Sequence, residues 1–219
     1  MTKPPTPPLG EFERIARFFA PLAGPGALNL TDDVALIDGP AGEQYVLTTD
    51  TIIEGVDYFP DDPPFQVAQK LLRVNLSDLA AKGAAPFGYL LTTVLPQTHG
   101  EAWLDEFTKG LAADQKEFAV TLLGGDSSGT PGPATLSATL IGRVGADKAI
   151  LRSGAKEGDL VYVSGTLGDA ALGLAVRKGE LGAALTAEQR DSLVNRYRLP
   201  QPRLALGQKL VGIASAMID

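Results

Sequence analysis

Cysteine is absent from this chain of 219 residues, and histidine occurs only once. Without cysteine there are no disulfide bonds, thiolate metal ligands or cysteine nucleophiles. The single histidine, His99, lies in a Pro-Gln-Thr-His-Gly stretch. We expect it to be an ordinary surface residue and not part of a Ser-His-Asp triad. A P-loop and a dinucleotide-binding glycine fingerprint are also missing, so a bound nucleotide would have to be held through metals and glycine-rich turns.

Long apolar runs and basic runs are missing as well. No window approaches the roughly 20 apolar residues that a membrane span needs. The net charge is −7, with 19 Lys and Arg against 26 Asp and Glu, which argues against a nucleic-acid partner. Residues 1–9 are rich in proline and have no apolar signal-peptide core. We therefore expect a disordered tail on a cytoplasmic protein that binds neither a membrane nor a nucleic acid.

The order of β-branched runs and amphipathic stretches predicts an α+β fold: a mixed sheet with helices on one face. A first domain is expected over residues 10–145, and an incomplete second α/β domain over 146–219. In the first domain we predict a turn that runs into a strand over 30–38, further strands at 45–53, 89–95, 120–123 and 135–144, and helices at 10–20, 65–85 and 101–118. In the second we predict a strand at 160–164, helices at 169–178, 186–197 and 203–214, and the start of another strand at 217–219.

The helix predicted over 65–85 has a carboxylate inside its apolar stripe. Val67, Leu71, Val74, Asp78 and Ala81 follow one another at spacings of four, three, four and three. A lone buried carboxylate is costly, so Asp78 requires a cation, a basic partner or hydrogen bonds at a helix end. A metal ligand is one interpretation. An ion pair with Lys82, four residues further on, is the simpler one.

The strand predicted over 45–53 has polar oxygens in its middle, at Thr48, Thr49 and Asp50. Ligands that offer only oxygen suit a hard divalent cation such as Mg²⁺. The alternative is the solvent-facing side of an edge strand.

Asp33, Asp50, Asp78 and Asp126 each fall at a predicted strand end or on a buried helical face. Two such carboxylates about 4 Å apart would repel each other by roughly 4 kcal/mol at an effective dielectric constant near 20. With bound Mg²⁺, the same group of side chains becomes a positive platform for phosphate oxygens.

Five motifs in order carry a resemblance to a known family. They are Thr-Thr-Asp-Thr at 48–51, Asn-Leu-Ser-Asp-Leu-Ala-Ala-Lys-Gly-Ala at 75–84, Gly-Gly-Asp at 124–126, Arg-Ser-Gly-Ala-Lys at 152–156 and Met-Ile-Asp at 217–219. Together they resemble the thiamine-monophosphate kinase family, in the superfamily that also holds aminoimidazole ribonucleotide synthetase. The resemblance implies transfer of the γ-phosphoryl group of ATP to thiamine monophosphate, and a homodimer joined through the sheets.

The resemblance also implies roles for individual residues. Gly125, Asp126 and Arg152 would contact ATP, and Asp57 stands where the family commonly places a histidine near the substrate. The catalytic set would be Asp50, Asp78, Asp126 and Arg152. The Mg²⁺ ligands would be Asp33, Thr48, Thr49, Asp50, Asp78, Asp126 and Asp219.

Two alternatives remain open: a sister ATP-dependent synthetase, and a non-catalytic fragment that binds metal and nucleotide as a dimer. The last residues, 217–219, resemble only the opening of the family's Ile-Asp-x-Ser-Asp-Gly motif. We therefore expect the chain to be truncated in its second domain, to bind nucleotide weakly and not to turn over.

Overall fold

A five-stranded mixed sheet lies at the centre of the computed structural model, which describes residues 11–14, 16, 20–22, 25–181 and 185–219. Its order is β1-β2-β5-β3-β4. Strands β3 and β4 run parallel, whereas the other neighbours are antiparallel, so the prediction of a mixed sheet is confirmed. The strands are β1 (Ala35–Asp38), β2 (Glu43–Ile53), β3 (Ala85–Leu95), β4 (Thr121–Gly129) and β5 (Thr135–Gly145).

One face of the sheet is covered by helix α2 (Pro64–Ala81), and helix α3 (Glu101–Phe118) packs on α2. Proline begins α2 at a position where its missing N–H costs no hydrogen bond. The two helices approach closely at Gly110, where a Cβ atom would overlap the backbone oxygen of Phe65. Helix α2 is buried on two sides, and Leu71, Leu72, Leu76 and Leu79 are fully buried.

Strand β5 shows how the sequence separates the two faces of the sheet. Leu136, Ala138 and Leu140 are fully buried against the helices, and the alternating positions between them are only partly covered. This is the period-two pattern of a strand with one core face. The other face, which we call the open face, carries Thr49 and Thr139 side by side.

The prediction of a strand over residues 160–164 is wrong. Leu160, Val161, Tyr162 and Val163 are 60–98% exposed, and no strand is assigned there. A strand needs a neighbour for its backbone hydrogen bonds, and none pairs with this segment in the part of the chain that the structure describes. Residues 217–219 are likewise not in a strand.

Helices dominate the region after β5. They are α4 (Asp169–Arg177), α5 (Ala187–Arg198) and α6 (Leu204–Leu210), close to the predicted ranges except that α6 ends earlier. The Thr186 side chain accepts a hydrogen bond from the Gln189 N–H and begins α5 with a capping box. The division into domains at residue 145 stays a prediction.

Near the start of the chain, α1 comprises only Glu11–Arg14, and Phe12 is 75% exposed. Ile15 and Phe19, which the sequence places with Phe12 on one face of the predicted helix, lie outside the described residues. Strand β4 continues to Gly129, six residues beyond the predicted end, because Gly124–Gly129 pairs with β3. Among the described helices, none has the length and apolar character needed to cross a membrane.

Candidate functional site

Strand β2 and helix α2 bring three of the predicted side chains together beneath the sheet. Thr48 and Asp50 are two residues apart on β2, so both point to the face that α2 covers. The Thr48 hydroxyl donates a hydrogen bond to Asp78 Oδ2 at 2.5 Å and lies 3.3 Å from the Asp33 carbonyl oxygen. Asp78 is 7% exposed, as its place in the apolar stripe predicted.

These carboxylates perturb one another. Burial raises the pKa of Asp78 to about 7 against the opposing Thr48 hydrogen bond, and the charges of Asp219, Asp50 and Asp33 add to the increase. Burial also raises the pKa of Asp50, with Asp219 and Asp33 contributing. Asp33, Asp50, Asp78 and Asp219 therefore form one group, which we call the acidic cluster. Neither Asp50 nor Asp78 contacts a Lys or Arg among the described residues.

Two basic residues, Lys82 and Arg152, lie at the edge of the acidic cluster. Lys82 Nζ lies 2.9 Å from Asp32 Oδ1 and 3.3 Å from Asp33 Oδ2. Arg152 approaches from the following region, and its guanidinium lies 2.8 Å from Asp33 Oδ1. The alternative in which Lys82 pairs with Asp78 is therefore wrong. The side chain of Lys82 turns instead towards the loop before β1.

The acidic cluster offers only oxygen donors, which is the chemistry of a Mg²⁺ site. In the described part of the chain, no three His, Cys, Asp or Glu side chains are already arranged around a common point as metal ligands. Burial and the neighbouring carboxylates raise the pKa values of Asp50 and Asp78, and no described Lys or Arg contacts either of them. Because a divalent cation would supply the missing positive charge, the donor set fits Mg²⁺.

The structure does not bring Asp126 into the acidic cluster. Asp126 is in register with Thr92, Ser137 and Thr51, which lie on the open face, whereas Asp50 lies on the covered face. Three strand spacings separate β2 from β4, about 14 Å. Gly125 lies next to Asp126, and a Cβ atom there would overlap the Leu91 carbonyl oxygen.

Thr49 is also apart from the cluster. Its hydroxyl donates to the Ala138 carbonyl oxygen at 3.2 Å and accepts from the Thr139 hydroxyl at 3.0 Å, both across the β2–β5 pair. Thr49 thus joins strands on the open face, and of the predicted Mg²⁺ ligands on β2 only Thr48 and Asp50 face the cluster.

A cavity of about 510 Å³ opens beside the acidic cluster. Asp57, the predicted substrate contact, lines it, and its carboxylate accepts the Ile53 N–H at 2.8 Å. The remaining lining residues include Asp50, Val56, Lys70, Val74, Tyr197 and Asp219.

Lys70 and Tyr197 were missed by sequence reasoning. The Lys70 ammonium donates to the Asp57 carbonyl oxygen at 2.6 Å and lies 3.9 Å from the centre of the Tyr197 ring. The sequence did contain a signal for Lys70. It precedes Asp78 by eight residues, with Val74 between them, so all three share one side of α2. No sequence pattern indicated Tyr197. It lies on α5, which is distant in sequence from the other lining residues and reaches the cavity only by tertiary packing.

His99 is not the ordinary surface residue that we expected. Its side chain is 11% exposed and lies 2.9 Å from Glu54, and its ring contacts Trp103 at a centroid distance of 4.5 Å. These contacts fix the loop between β3 and α3 against the end of β2. None of them involves the acidic cluster.

The chain is similar to known proteins over most of its length. Residues 31–144 match the family model for the N-terminal domain of AIR synthase related proteins. The thiamine-monophosphate kinase of Caulobacter vibrioides is 41% identical over 218 residues, which are 99% of this chain and 60% of that protein. The Escherichia coli K12 thiamine-monophosphate kinase is 40% identical over 96% of this chain and 64% of its own length.

Solved structures show the same likeness. A structure described as AaThiL complexed with AMPPCP and TMP superposes with a TM-score of 0.85 at 28% identity, over 96% of this chain and 66% of that one. The thiamine-monophosphate kinase of Stenotrophomonas maltophilia K279a superposes with a TM-score of 0.74 at 39% identity, over 95% and 66%. The chain thus spans about 60–66% of the length of these relatives.

Proposed function

This chain belongs to the family of AIR synthase related proteins, and from that premise we propose that it carries the metal- and nucleotide-binding part of a thiamine-monophosphate kinase. The reaction transfers the γ-phosphoryl group of ATP to the phosphate of thiamine monophosphate, giving thiamine diphosphate and ADP. The observation that carries the proposal is the likeness to thiamine-monophosphate kinases over nearly the whole chain. The acidic cluster supplies the chemistry that such a transfer requires.

The acidic cluster is proposed to hold Mg²⁺ through Asp33, Asp50, Asp78 and Asp219. When bound, Mg²⁺ neutralises phosphate charge and aligns the reacting oxygens, which is most of what phosphoryl transfer needs from a protein. The Thr48 hydroxyl orients the Asp78 carboxylate through its short hydrogen bond. No covalent protein nucleophile is needed.

The cavity beside the cluster is proposed to receive thiamine monophosphate. A volume of about 510 Å³ falls in the range of small-molecule sites. Val56 and Tyr197 give it apolar and aromatic surface, and Asp57 adds a carboxylate that suits the positively charged thiazolium ring. Lys70 fixes this wall by its hydrogen bond to the Asp57 backbone.

ATP is proposed to reach the cluster from the side of Arg152, whose side chain is 40% exposed and whose guanidinium already lies beside Asp33. Gly125 and Asp126 lie on the open face of the sheet. We propose that they contact nucleotide across a homodimer joined through that face. Leu90 and Phe87, 45% and 37% exposed on β3, give this surface apolar area for a second copy. Light scattering at micromolar concentration should show about twice 22.9 kDa.

The nucleotide part of the proposal is tested by calorimetric titration of the 219-residue chain with AMPPCP, in Mg²⁺ and in excess chelator. Binding should require Mg²⁺ because the carboxylates otherwise repel the triphosphate. Asp50→Asn should weaken it, whereas Lys109→Ala on the exposed side of α3 should not. Equal affinity with and without chelator would rule out the metal platform.

The acceptor is tested with a panel of thiamine monophosphate and small amides, assayed for ATP-dependent products. Thiamine diphosphate supports the kinase, whereas an amidine product would instead support a sister synthetase. The 219-residue chain, which covers 60% of the Caulobacter vibrioides enzyme, is assayed beside a chain extended to the length of the relatives. Binding without product in both would leave a non-catalytic nucleotide-binding protein.

A further inference from the structure

Lys82 is a fully buried charge at the C-terminal end of α2, one residue beyond Ala81. Its ammonium group has three hydrogen-bond donors and three oxygen atoms within reach. These are Asp32 Oδ1 at 2.9 Å, Asp33 Oδ2 at 3.3 Å and the Met217 carbonyl oxygen at 3.5 Å. A buried lysine is retained only where its charge is balanced, and here two carboxylates balance it.

The same residue ties together the segments that carry the acidic cluster. Its carbonyl oxygen accepts the Ile150 N–H at 3.3 Å, two residues before Arg152. Its ammonium reaches Met217, two residues before Asp219. Lys82 therefore connects the end of α2, the loop before β1 and the region after β5 at one point.

The aspartates of the cluster differ in their basic partners. Lys82 contacts both Asp32 and Asp33, and Arg152 also contacts Asp33. Among the described residues, no Lys or Arg contacts Asp50 or Asp78. The protein itself therefore supplies positive charge at one end of the cluster and none at the other end.

We propose that Lys82 is a built-in counter-ion that holds the Asp32–Asp33 loop in place without a metal, so that Asp33 needs no cation of its own beyond the Mg²⁺ that it shares with Asp50 and Asp78. This role rests on the proposed function, because it presupposes that the cluster binds Mg²⁺. Lys82 is a positioning residue: it contacts the aspartates and not the reacting phosphates. Without its charge, a second cation would be needed beside Asp32 and Asp33.

The test replaces Lys82 with methionine, which keeps an unbranched side chain of similar length, and with arginine, which keeps the charge. The probe is MgCl₂ alone at constant ionic strength, and the readout is the melting temperature by circular dichroism. Lys82→Met should melt about 10 °C below the wild type in chelator. Mg²⁺ should restore at least half of that loss, a larger increase than it gives the wild type. Lys82→Arg should show the wild-type increase.

Other outcomes would overturn the inference. A Lys82→Met protein that melts like the wild type, or whose loss Mg²⁺ does not restore beyond the wild-type increase, would show that the lysine only fills space or is dispensable. If Lys82→Met does not fold, the Lys82→Met/Asp32→Asn double variant removes the buried pair together. Folding with the wild-type response to Mg²⁺ would support the counter-ion role, and failure to fold would overturn it.

If the proposed function is wrong, the melting temperatures respond to Mg²⁺ in a different pattern from the one expected if only the role of Lys82 is wrong. Asp78→Asn should abolish the response to Mg²⁺ in the wild-type background if the cluster binds the metal. An absence of any Mg²⁺ response in the wild type, Lys82→Met and Asp78→Asn alike would reject the metal site and, with it, the counter-ion role. A wild-type response that Asp78→Asn removes, combined with an unchanged response in Lys82→Met, would reject the counter-ion role alone.

Discussion

Helix α2 buries charge on two sides, and the two sides treat that charge differently. Towards α3, Arg73 binds Asp114 through two nitrogens, each at 2.8 Å, and Gln69 donates to Asp114 Oδ1 at 2.7 Å. Glu117 adds a contact with Arg73 at 2.9 Å. Asp114 is completely buried, yet both of its oxygens have partners. This side is a closed structural network.

Towards β2, the same helix presents Asp78, and the only hydrogen-bond donor to its carboxylate among the described residues is the Thr48 hydroxyl. Burial raises the pKa of Asp78, and the like charges of Asp219 and Asp50 add to the increase. A carboxylate with a strongly raised pKa and no basic partner, beside a cavity, is typical of a functional site. The comparison therefore separates charges that hold the fold from the charges that we propose to bind a cation.

The largest effect is expected where a substitution breaks the network between α2 and α3. Arg73→Ala leaves Asp114 buried without its main partner and should lower the free energy of unfolding by about 3–5 kcal/mol. Urea denaturation followed by circular dichroism measures this loss. Lys109→Ala, which removes two exposed ion pairs on α3, is the matched control and should change nothing measurable. Mg²⁺ should not restore the stability of Arg73→Ala, and a restoration would mean that the two sides are not independent.

The next effect concerns Asp78, on the side of α2 that faces β2, and appears as a pH dependence. The pKa of Asp78 is about 7 in the folded protein, against 3.8 for an unperturbed aspartate. The folded state therefore binds more protons than the unfolded state between these values, and stability falls as pH rises from about 4 to about 7. In chelator the loss should be about 2–4 kcal/mol.

Asp78→Asn should remove most of this slope because asparagine carries no charge in either state. Urea unfolding at a series of pH values between 4 and 8 compares the two proteins. An equal slope in both would assign the dependence to other groups. In the wild type, saturating Mg²⁺ should flatten the same slope, since a bound cation keeps the carboxylate ionised without penalty.

A smaller effect sharpens the comparison at a single hydrogen bond. Thr48→Val keeps the shape of the side chain but removes the donor to Asp78, and should cost about 1–2 kcal/mol. It should also steepen the pH dependence, because the Thr48 hydrogen bond lowers the pKa of Asp78. Thr48→Ser retains the hydroxyl and is the control. If Thr48→Val and Thr48→Ser behave alike, the hydroxyl does not orient Asp78.

Periodicity predicted those parts of the fold that bury an apolar stripe. The helices around Leu71 and Phe107 and the alternation of β5 were readable because each pattern matches one buried face. The same reasoning failed at Val161, because an apolar run forms a strand only where a neighbour pairs with it.

The site was partly predictable for a similar reason. The sequence pattern identified Asp78 because it is a charged residue inside an apolar stripe. It could not identify the partner of Lys82, which depends on how the loop before β1 packs against the end of α2. The spacing of four residues favoured an ion pair between Lys82 and Asp78. In the structure, Lys82 instead contacts two carboxylates from a distant part of the chain, Asp32 and Asp33. Local patterns identify a buried charge, and only tertiary contacts identify what neutralises it.

The smallest expected effect concerns Asp126, which the family resemblance groups with Asp50 but which the fold places on the other face. Because about 14 Å of sheet separates β2 from β4, Asp126→Asn should change the rise in melting temperature caused by Mg²⁺ alone by less than about 1 °C. Asp50→Asn, the matched change on the covered face, should reduce that rise clearly. Both variants and the wild type are measured at one low protein concentration, where a dimer is least populated. A loss in Asp126→Asn equal to that in Asp50→Asn would mean that the two carboxylates share an ion. Within one chain the sheet keeps them apart, so that result would require Asp126 to come from a second copy.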